Sequence, residues 1–203
     1  MLQNSEYVGL MQYLEALVMC DALQEMNEAS KIDINIKWPN DVYVNKKTKI
    51  CGIMCQSVYT NGVFDITSGI GINISNRKPT TCIEHEVKEI TGETVHLSRS
   101  EIYPHFIYRA ELLGRYIRIW NRCFLRFSKE GFKPFIEHYY SKWLHTNQAV
   151  NVVNDKGGYD SVIIKGIGET GYLIAVDANG NTLELLPDGN TFNFLEGLIS
   201  KKK

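Results

Sequence analysis

The dipeptide Asn61-Gly62 constrains the fold of this chain more than any other feature. Both residues tolerate the positive φ angles of a two-residue hairpin turn, and strand-like runs flank them on either side. We therefore predict a β-hairpin made of Ile50 to Tyr59 and Val63 to Ile74. Its second strand carries Gly69-Ile70-Gly71-Ile72-Asn73, where the glycines permit another group to approach the backbone closely.

The residues before this hairpin indicate a helix and two short strands. From Glu6 to Glu28 the apolar residues recur at helical spacing, which predicts an amphipathic helix that faces the core. Ile32 to Ile36 alternates strictly between apolar and polar residues and predicts a strand with one buried face. Val42 to Val44 continues as a further short strand, and the polar residues 45–48 form the turn before the hairpin.

After the hairpin the pattern becomes helical. Helical spacing begins at Ile83, and Ser98 with Glu101 has the spacing of a capping box. Phe106 to Phe127 predicts a long helix, and another helical piece ends at Trp143.

From Ala149 onwards the pattern returns to strands. Short alternating runs separated by glycine-containing turns are typical of a small barrel or sandwich. We place a domain boundary near Thr146-Asn147.

Composition narrows the class of protein. With 203 residues, 44% hydrophobic and 22% charged, the chain is suited to a medium domain plus a small one, and not to intrinsic disorder. A net charge of -1 argues against broad binding to nucleic acid, and no apolar run has the length of a membrane span. The five scattered cysteines favour reduced thiols and a cytoplasmic location, with organellar targeting only through a segment further upstream.

Three segments supply residue types suited to an anionic ligand: Lys37-Trp38-Pro39-Asn40-Asp41, Lys49-Ile50-Cys51-Gly52-Ile53 and Gly69-Ile70-Gly71-Ile72-Asn73. Together they provide two lysines, a carboxylate, two amides and three glycines. Each segment alone has a structural explanation, as a turn, a solvated lysine or a packing glycine pair. Their ordered combination favours a functional site.

Other conspicuous residues are interpreted as structural. Cys51 and Cys55 can share a strand face, but no histidine lies at the close spacing that a zinc site needs. Trp143 and His145 are more typical of packing and capping at a domain junction, and the numerous tyrosines of packing between helices.

The three segments, followed by Trp143-Leu144-His145, resemble the biotin protein ligases, and specifically the eukaryotic, plant-like holocarboxylase synthetases. The resemblance runs through nearly the whole chain. It implies an α/β fold of α+β type, with a mixed β-sheet and helices in a catalytic domain (1–146) and a small SH3-like β-barrel (147–203). Family members carry, further upstream, a segment that starts the biotin site and a Gly/Arg-rich loop, so we expect this chain to lack the N-terminal part of the catalytic domain.

The resemblance also implies an activity: ATP- and magnesium-dependent activation of biotin to biotinyl-5′-AMP, followed by transfer to a lysine of a carboxylase carrier domain, such as that of acetyl-CoA carboxylase. Lys49 would act on the reacting anions, and Asp41 would hold Mg²⁺. The other implied contacts to biotin and ATP are Lys37, Trp38, Asn40, Gly52, Gly69, Gly71 and Asn73. Two alternatives remain open: a catalytically inactive binding or regulatory module, and a lipoate ligase.

Overall fold

A computed structural model describes residues 4–26, 29–76, 81–92, 104–153, 158–185, 190–193 and 198–201. Contacts between residues divide the chain into two compact units, 1–144 and 145–203. The described part of the first unit combines α-helices with a four-stranded sheet, and that of the second contains a six-stranded sheet. This architecture confirms the predicted α+β class, while the catalytic and barrel assignments of the two halves stay predictions.

Five α-helices lie within the described part of the first unit. They are α1 (Ser5–Val8), α2 (Met11–Gln24), α3 (Ile83–Thr91), α4 (Pro104–Glu130) and α5 (Ile136–Lys142). The single helix predicted over residues 6–28 is therefore two, and the break falls at Gly9, a residue type that disfavours helix interiors. The predicted helix over residues 106–127 lies within α4, whereas the capping box at Ser98 and Glu101 lies outside the described residues.

Helix α2 is buried on nearly every side, although its sequence predicts one buried face. Only three of its fourteen residues escape burial, because the helix packs against the first sheet, α4 and α5. Tyr13 illustrates this packing: its ring meets those of Phe132 and Tyr139 at centroid distances of 6.0 and 5.7 Å. One consequence is that the acidic residue Glu15 is only 2% exposed.

The first sheet is antiparallel throughout its described strands. In spatial order they are β1 (Ile34–Lys37), β2 (Asp41–Val44), β3 (Thr48–Thr60) and β4 (Val63–Ile72). The hairpin prediction is confirmed, since Asn61 and Gly62 have φ angles of 51° and 83° between paired β3 and β4. Beside β1, Trp143 forms an isolated parallel bridge with Ile36.

A β-bulge in β3 changes the alternation of its side chains. Val42 pairs with Cys51, but the next residue, Tyr43, pairs with Lys49, so that Ile50 has no partner of its own. Ile50 and Cys51 are consecutive in sequence, yet each is only 1% exposed. Both therefore point into the core, as the extra residue of a bulge allows.

Because of the bulge, two residues that are an odd number of positions apart lie on the same face of the sheet. Lys49 and Gly52 are three positions apart and would face opposite ways in a regular strand. Because of the extra residue they share the face that is turned away from α2. Gly52 pairs with Gly71, and Met54 pairs with Gly69, so this face continues across β4.

The second unit contains six described strands around a small apolar core. They are β5 (Ala149–Val153), β6 (Tyr159–Ile167), β7 (Leu173–Asp177), β8 (Thr182–Leu185), β9 (Asn190–Asn193) and β10 (Leu198–Lys201). Their spatial order is β8-β7-β6-β5-β10-β9, and all pairs are antiparallel except β5 with β10. Val150, Ile164 and Leu173 are among its buried residues. Across both units, none of the described helices combines the length and hydropathy needed to cross a membrane.

Candidate functional site

An ion pair lies on the open face of the first sheet. Nζ of Lys49 lies 2.6 Å from Oδ1 of Asp41, and the two side chains are 49% and 21% exposed. Asp41 begins β2 directly after the turn that follows β1, and it pairs across the ladder with Gly52. The ion pair is thus held on a rigid sheet while its ammonium group stays accessible to a ligand.

Gly52 lies directly beneath this ion pair. A Cβ atom at position 52 would lie 3.1 Å from both Cε and Nζ of Lys49, and 3.5 Å from Oδ1 of Asp41. A side chain at position 52 would require the Lys49 side chain to shift by a few tenths of an ångström. Lys49 therefore approaches Gly52 closely, and a ligand contact at Gly52 stays a prediction.

Gly69 and Gly71 have a different environment. Among the described residues, a Cβ at either position would meet nothing closer than a backbone oxygen at 4.0 Å, from Met54 or Gly52 respectively. Packing within the described chain therefore does not require glycine here. The space above both glycines is open on the face that carries Lys49, which leaves room for a ligand against the backbone.

Lys37 adds a second ammonium group beside Asp41 and Lys49, and it contacts Tyr43. Nζ of Lys37 donates a hydrogen bond to Oη of Tyr43 at 3.5 Å and lies 5.5 Å from the centre of its ring. Burial lowers the pKa of Lys37, while the charge of Asp41 opposes that shift and Lys49 adds to it. Burial and Asp41 together raise the pKa of Tyr43.

Sequence reasoning missed Tyr43 as a member of this cluster. The signal was available, because Tyr43 lies two residues after Asp41 on a strand and must share its face. The burial of Val42 and Val44 between and beside them agrees with this alternation.

Asn40 fixes the position of Asp41. Its side-chain Nδ2 donates to the carbonyl oxygen of Ile53 at 2.6 Å, and the N–H of Ile53 donates to the carbonyl oxygen of Asn40 at 3.0 Å. These two bonds attach the turn before β2 to β3. These contacts are suited to orienting Asp41, while the contact of Asn40 with biotin or ATP stays a prediction.

Trp38 and Asn73 lie at the margins of the site. Trp38 is 5% exposed, and its Nε1 donates to Oη of Tyr13 at 3.0 Å, so the indole packs against α2. Asn73 is anchored by its backbone: its N–H donates to Ile50, and its carbonyl accepts from the N–H of Ile83 at the start of α3. Ligand contacts of both side chains stay predictions.

The site offers few donors for a metal ion. No three Cys, His, Asp or Glu side chains converge within the described part of the chain, so Asp41 is a single carboxylate donor. Mg²⁺ commonly binds through one or two carboxylates while substrate phosphates and waters complete its shell. Asp41 fits Mg²⁺ only in that shared arrangement.

The cysteines show no sign of nucleophilic activation. All five are free thiols, and burial raises the pKa of Cys51 to about 12 and that of Cys55 to about 11. Catalytic thiols have lowered pKa values instead. Trp143 and His145, which the sequence indicates as packing residues, are 6% and 0% exposed. Their burial agrees with that interpretation.

Several known proteins similar to this chain are named biotin protein ligases. "Biotin--protein ligase 1, chloroplastic" and "Biotin--protein ligase 2", both from Arabidopsis thaliana, are 36% and 34% identical to it over 99% of its length. The chain spans 53% and 60% of these two curated relatives. The solved structure "Biotin protein ligase from Aquifex aeolicus in complex with biotin and ATP" is 25% identical, with a TM-score of 0.61 over 91% of this chain and 72% of that one.

Part of the first unit matches the model of a known protein family. Residues 2–73 match the Biotin/lipoate A/B protein ligase family, and this range contains the ion pair, its glycines and Asn73. The resemblance inferred from the three segments is thereby confirmed. Through residues 2–73, the chain is similar to the Biotin/lipoate A/B protein ligase family, and over nearly its whole length it is similar to curated biotin--protein ligases.

Proposed function

We propose that this chain takes part in the ATP-dependent attachment of biotin to protein, as a biotin--protein ligase. The observation that carries the proposal is the Lys49–Asp41 ion pair at 2.6 Å on the sheet face where Gly69 and Gly71 leave open space. The similarity to biotin protein ligases supplies the identity of the substrates.

The first step joins two anions. A carboxylate oxygen of biotin attacks the α-phosphorus of ATP, and the bond to pyrophosphate breaks, which gives biotinyl-5′-AMP. Lys49 Nζ stabilises the charge that develops on the phosphate oxygens, and preorganised charges of this kind accelerate such reactions by about 10²–10³-fold. Asp41 aligns that ammonium group before the substrates arrive.

Mg²⁺, when bound, neutralises charge on the phosphates of ATP. Asp41 is the residue that would hold it. Lys37, at the end of β1, adds positive charge to the same face, and its contact with Tyr43 limits the positions that its ammonium group can take.

The second step transfers the biotinyl group. The amine of a carrier lysine attacks the acyl carbon of the adenylate, AMP leaves, and the nitrogen loses a proton. No enzyme nucleophile is needed, in agreement with the raised pKa values of Cys51 and Cys55. The exposed, glycine-rich surface of β4 would admit both the adenylate and the incoming lysine.

The partners and organisation follow from this reaction. The acceptor is a biotin carrier domain of a carboxylase, for example acetyl-CoA carboxylase. The unit 1–144 holds the catalytic residues, and the β-rich unit 145–203 is the SH3-like domain of such ligases. A cytoplasmic location stays a prediction, since one of the similar plant proteins is chloroplastic by name.

The proposal is tested by adenylate formation. The full chain is incubated with biotin, Mg²⁺ and α-labelled ATP, and biotinyl-AMP is separated and counted. We expect Lys49→Ala to lower the rate by about 100-fold, because it removes the charge nearest the reacting phosphate. Lys47→Ala, which removes an exposed lysine from the preceding turn, is the matched control and should retain full activity.

Three outcomes would contradict the proposal. Adenylate formation that is unchanged in Lys49→Ala would remove that lysine from the mechanism. Formation of lipoyl-AMP in preference to biotinyl-AMP would favour a lipoate ligase. Binding of a carrier domain without any adenylate would favour the non-catalytic module.

A further inference from the structure

The open face of the first sheet continues beyond the ion pair to a methionine. Met54 lies two residues after Gly52 on β3, so its side chain is on the face that carries Lys49. Two residues of a strand span about 7 Å, which places Met54 next to the point where Lys49 approaches the backbone. Ile53, between them, points to the other face and is only 3% exposed.

The side chain of Met54 is largely open to solvent. The residue is 64% exposed. It pairs with Gly69, yet among the described residues the nearest atom to a Cβ at position 69 would be the backbone oxygen of Met54, at 4.0 Å. The methionine side chain therefore leaves the space above Gly69 open, and a small reagent in solution can reach it.

The other methionines of the described chain are protected by burial. Met11, Met19 and Met26 are 1%, 4% and 1% exposed. They lie in α2 or just after its end, and α2 is covered by the first sheet, α4 and α5. A reagent that attacks thioether sulfur should therefore react with Met54 long before it reaches these three.

The cysteine thiols are poor competitors for such a reagent. Burial raises the pKa of all five thiols, so little thiolate is present at neutral pH. Peroxides react with the thiolate form of cysteine. A thioether has no proton to lose, and its rate of oxidation depends on exposure instead.

We propose that Met54 is a site of reversible oxidation to methionine sulfoxide by peroxides, and that this modification slows biotin activation. The sulfur lone pair attacks one peroxide oxygen, an S–O bond forms and the O–O bond breaks. The departing hydroxide takes the proton of the transferred oxygen and leaves as water, so sulfur is oxidised and peroxide is reduced by the same electron pair.

The sulfoxide changes the chemistry of the open face. It converts a flexible apolar side chain into a polar one. Its oxygen carries partial negative charge on the face where Lys49 would meet anionic substrates, and this charge opposes their binding. The effect on activation rests on the proposed function, whereas the oxidation of Met54 does not.

Peptide mass spectrometry tests the modification itself. The full chain is treated with dilute hydrogen peroxide at neutral pH, samples are quenched with catalase, and sulfoxide is measured at each methionine over time. We expect Met54 to be oxidised at least about ten-fold faster than Met11, Met19 or Met26, and this difference to vanish in urea. Equal rates in the folded chain, or a slower rate at Met54, would overturn the proposal.

Adenylate formation tests the consequence. Treated protein is first incubated with dithiothreitol, which reduces disulfides and leaves the sulfoxide in place, and its rate at limiting biotin is divided by that of its own untreated sample. We expect the wild-type rate to fall by about ten-fold, as for a lost apolar contact in a pocket. Incubation with both classes of methionine sulfoxide reductase should restore it.

Two variants assign the loss to one sulfur. Met54→Leu keeps an apolar side chain of similar volume without an oxidisable atom, so its treated and untreated rates should agree. Met19→Leu removes a buried methionine and is the matched control, which should lose as much of its rate as the wild type.

An equal loss in Met54→Leu and in the wild type would overturn the proposal, as would a full rate in wild-type chain that carries sulfoxide at Met54. A chain that forms no adenylate before treatment, but is oxidised selectively at Met54, would contradict the proposed function and support the modification site.

Discussion

The two faces of the first sheet differ in how their carboxylates are paired and exposed to solvent. On one face the carboxylate of Asp41 is matched at 2.6 Å by Lys49, and both side chains reach solvent. On the other face Glu15 is only 2% exposed, and its Oε1 accepts a hydrogen bond from the Ser68 hydroxyl. A paired, accessible charge is ready to act on an incoming anion, whereas burial makes the charged form of a carboxylate costly.

After Lys49→Ala, the largest expected effect concerns the face that carries the Lys49–Asp41 ion pair. Gly52→Ala should lower the rate of adenylate formation by up to about ten-fold, because its Cβ shifts the Lys49 ammonium group by a few tenths of an ångström from a position that it must hold closely. The measurement is the rate of biotinyl-AMP formation, alongside thermal unfolding. Stability should change little, since the lysine side chain can swing outward.

Gly114→Ala is the matched control for this variant. Gly114 lies in α4, where a Cβ would meet nothing within 4 Å among the described residues, and alanine should stabilise the helix by up to about 1 kcal/mol. A Gly52→Ala chain that keeps full activity would show that the position of Lys49 is not critical.

The next effect concerns Glu15, on the opposite face of the sheet. Because the pKa of Glu15 is raised in the folded chain, the folded state holds this proton more tightly than the unfolded state does. Its contribution to stability is fully present below the unfolded pKa of about 4.3 and is lost as the pH rises through the raised folded value. Glu15→Gln should therefore raise the free energy of unfolding at pH 7 by about 1 kcal/mol, and by less at pH 4.

Urea denaturation at both pH values measures this difference. Glu89→Gln should show no comparable gain at pH 7, because that carboxylate is exposed. Equal stability of wild type and Glu15→Gln at both pH values would mean that the buried carboxylate is already satisfied.

The smallest effect concerns Tyr43, on the face that carries the Lys49–Asp41 ion pair. Tyr43→Phe keeps the ring beneath Lys37 but removes the hydroxyl that accepts its hydrogen bond at 3.5 Å. We expect adenylate formation to slow by only about two-fold, as for one weak hydrogen bond in a partly exposed position. A loss as large as that in Gly52→Ala would instead make Tyr43 a contact of the substrate.

Sequence patterns predicted the strands of this sheet because alternation and the Asn61-Gly62 turn are local signals. They predicted the candidate site less completely. The bulge at Ile50 depends on pairing with β2, which no single strand reveals. The burial of Glu15 depends on α4 and the sheet covering α2 from several sides, and Trp38 is buried by contact with Tyr13 in a helix far along the chain.

The bulge affects the whole hairpin, because it changes which face of the sheet each later side chain occupies. The extra residue Ile50 reverses this alternation, and the reversed alternation continues through the turn and along β4. Gly69 and Gly71 thus share a face with Lys49 because the bulge at Ile50 directly follows that lysine. The chain sets the orientation of an entire ligand-facing surface at one residue, and that residue is anchored in the core.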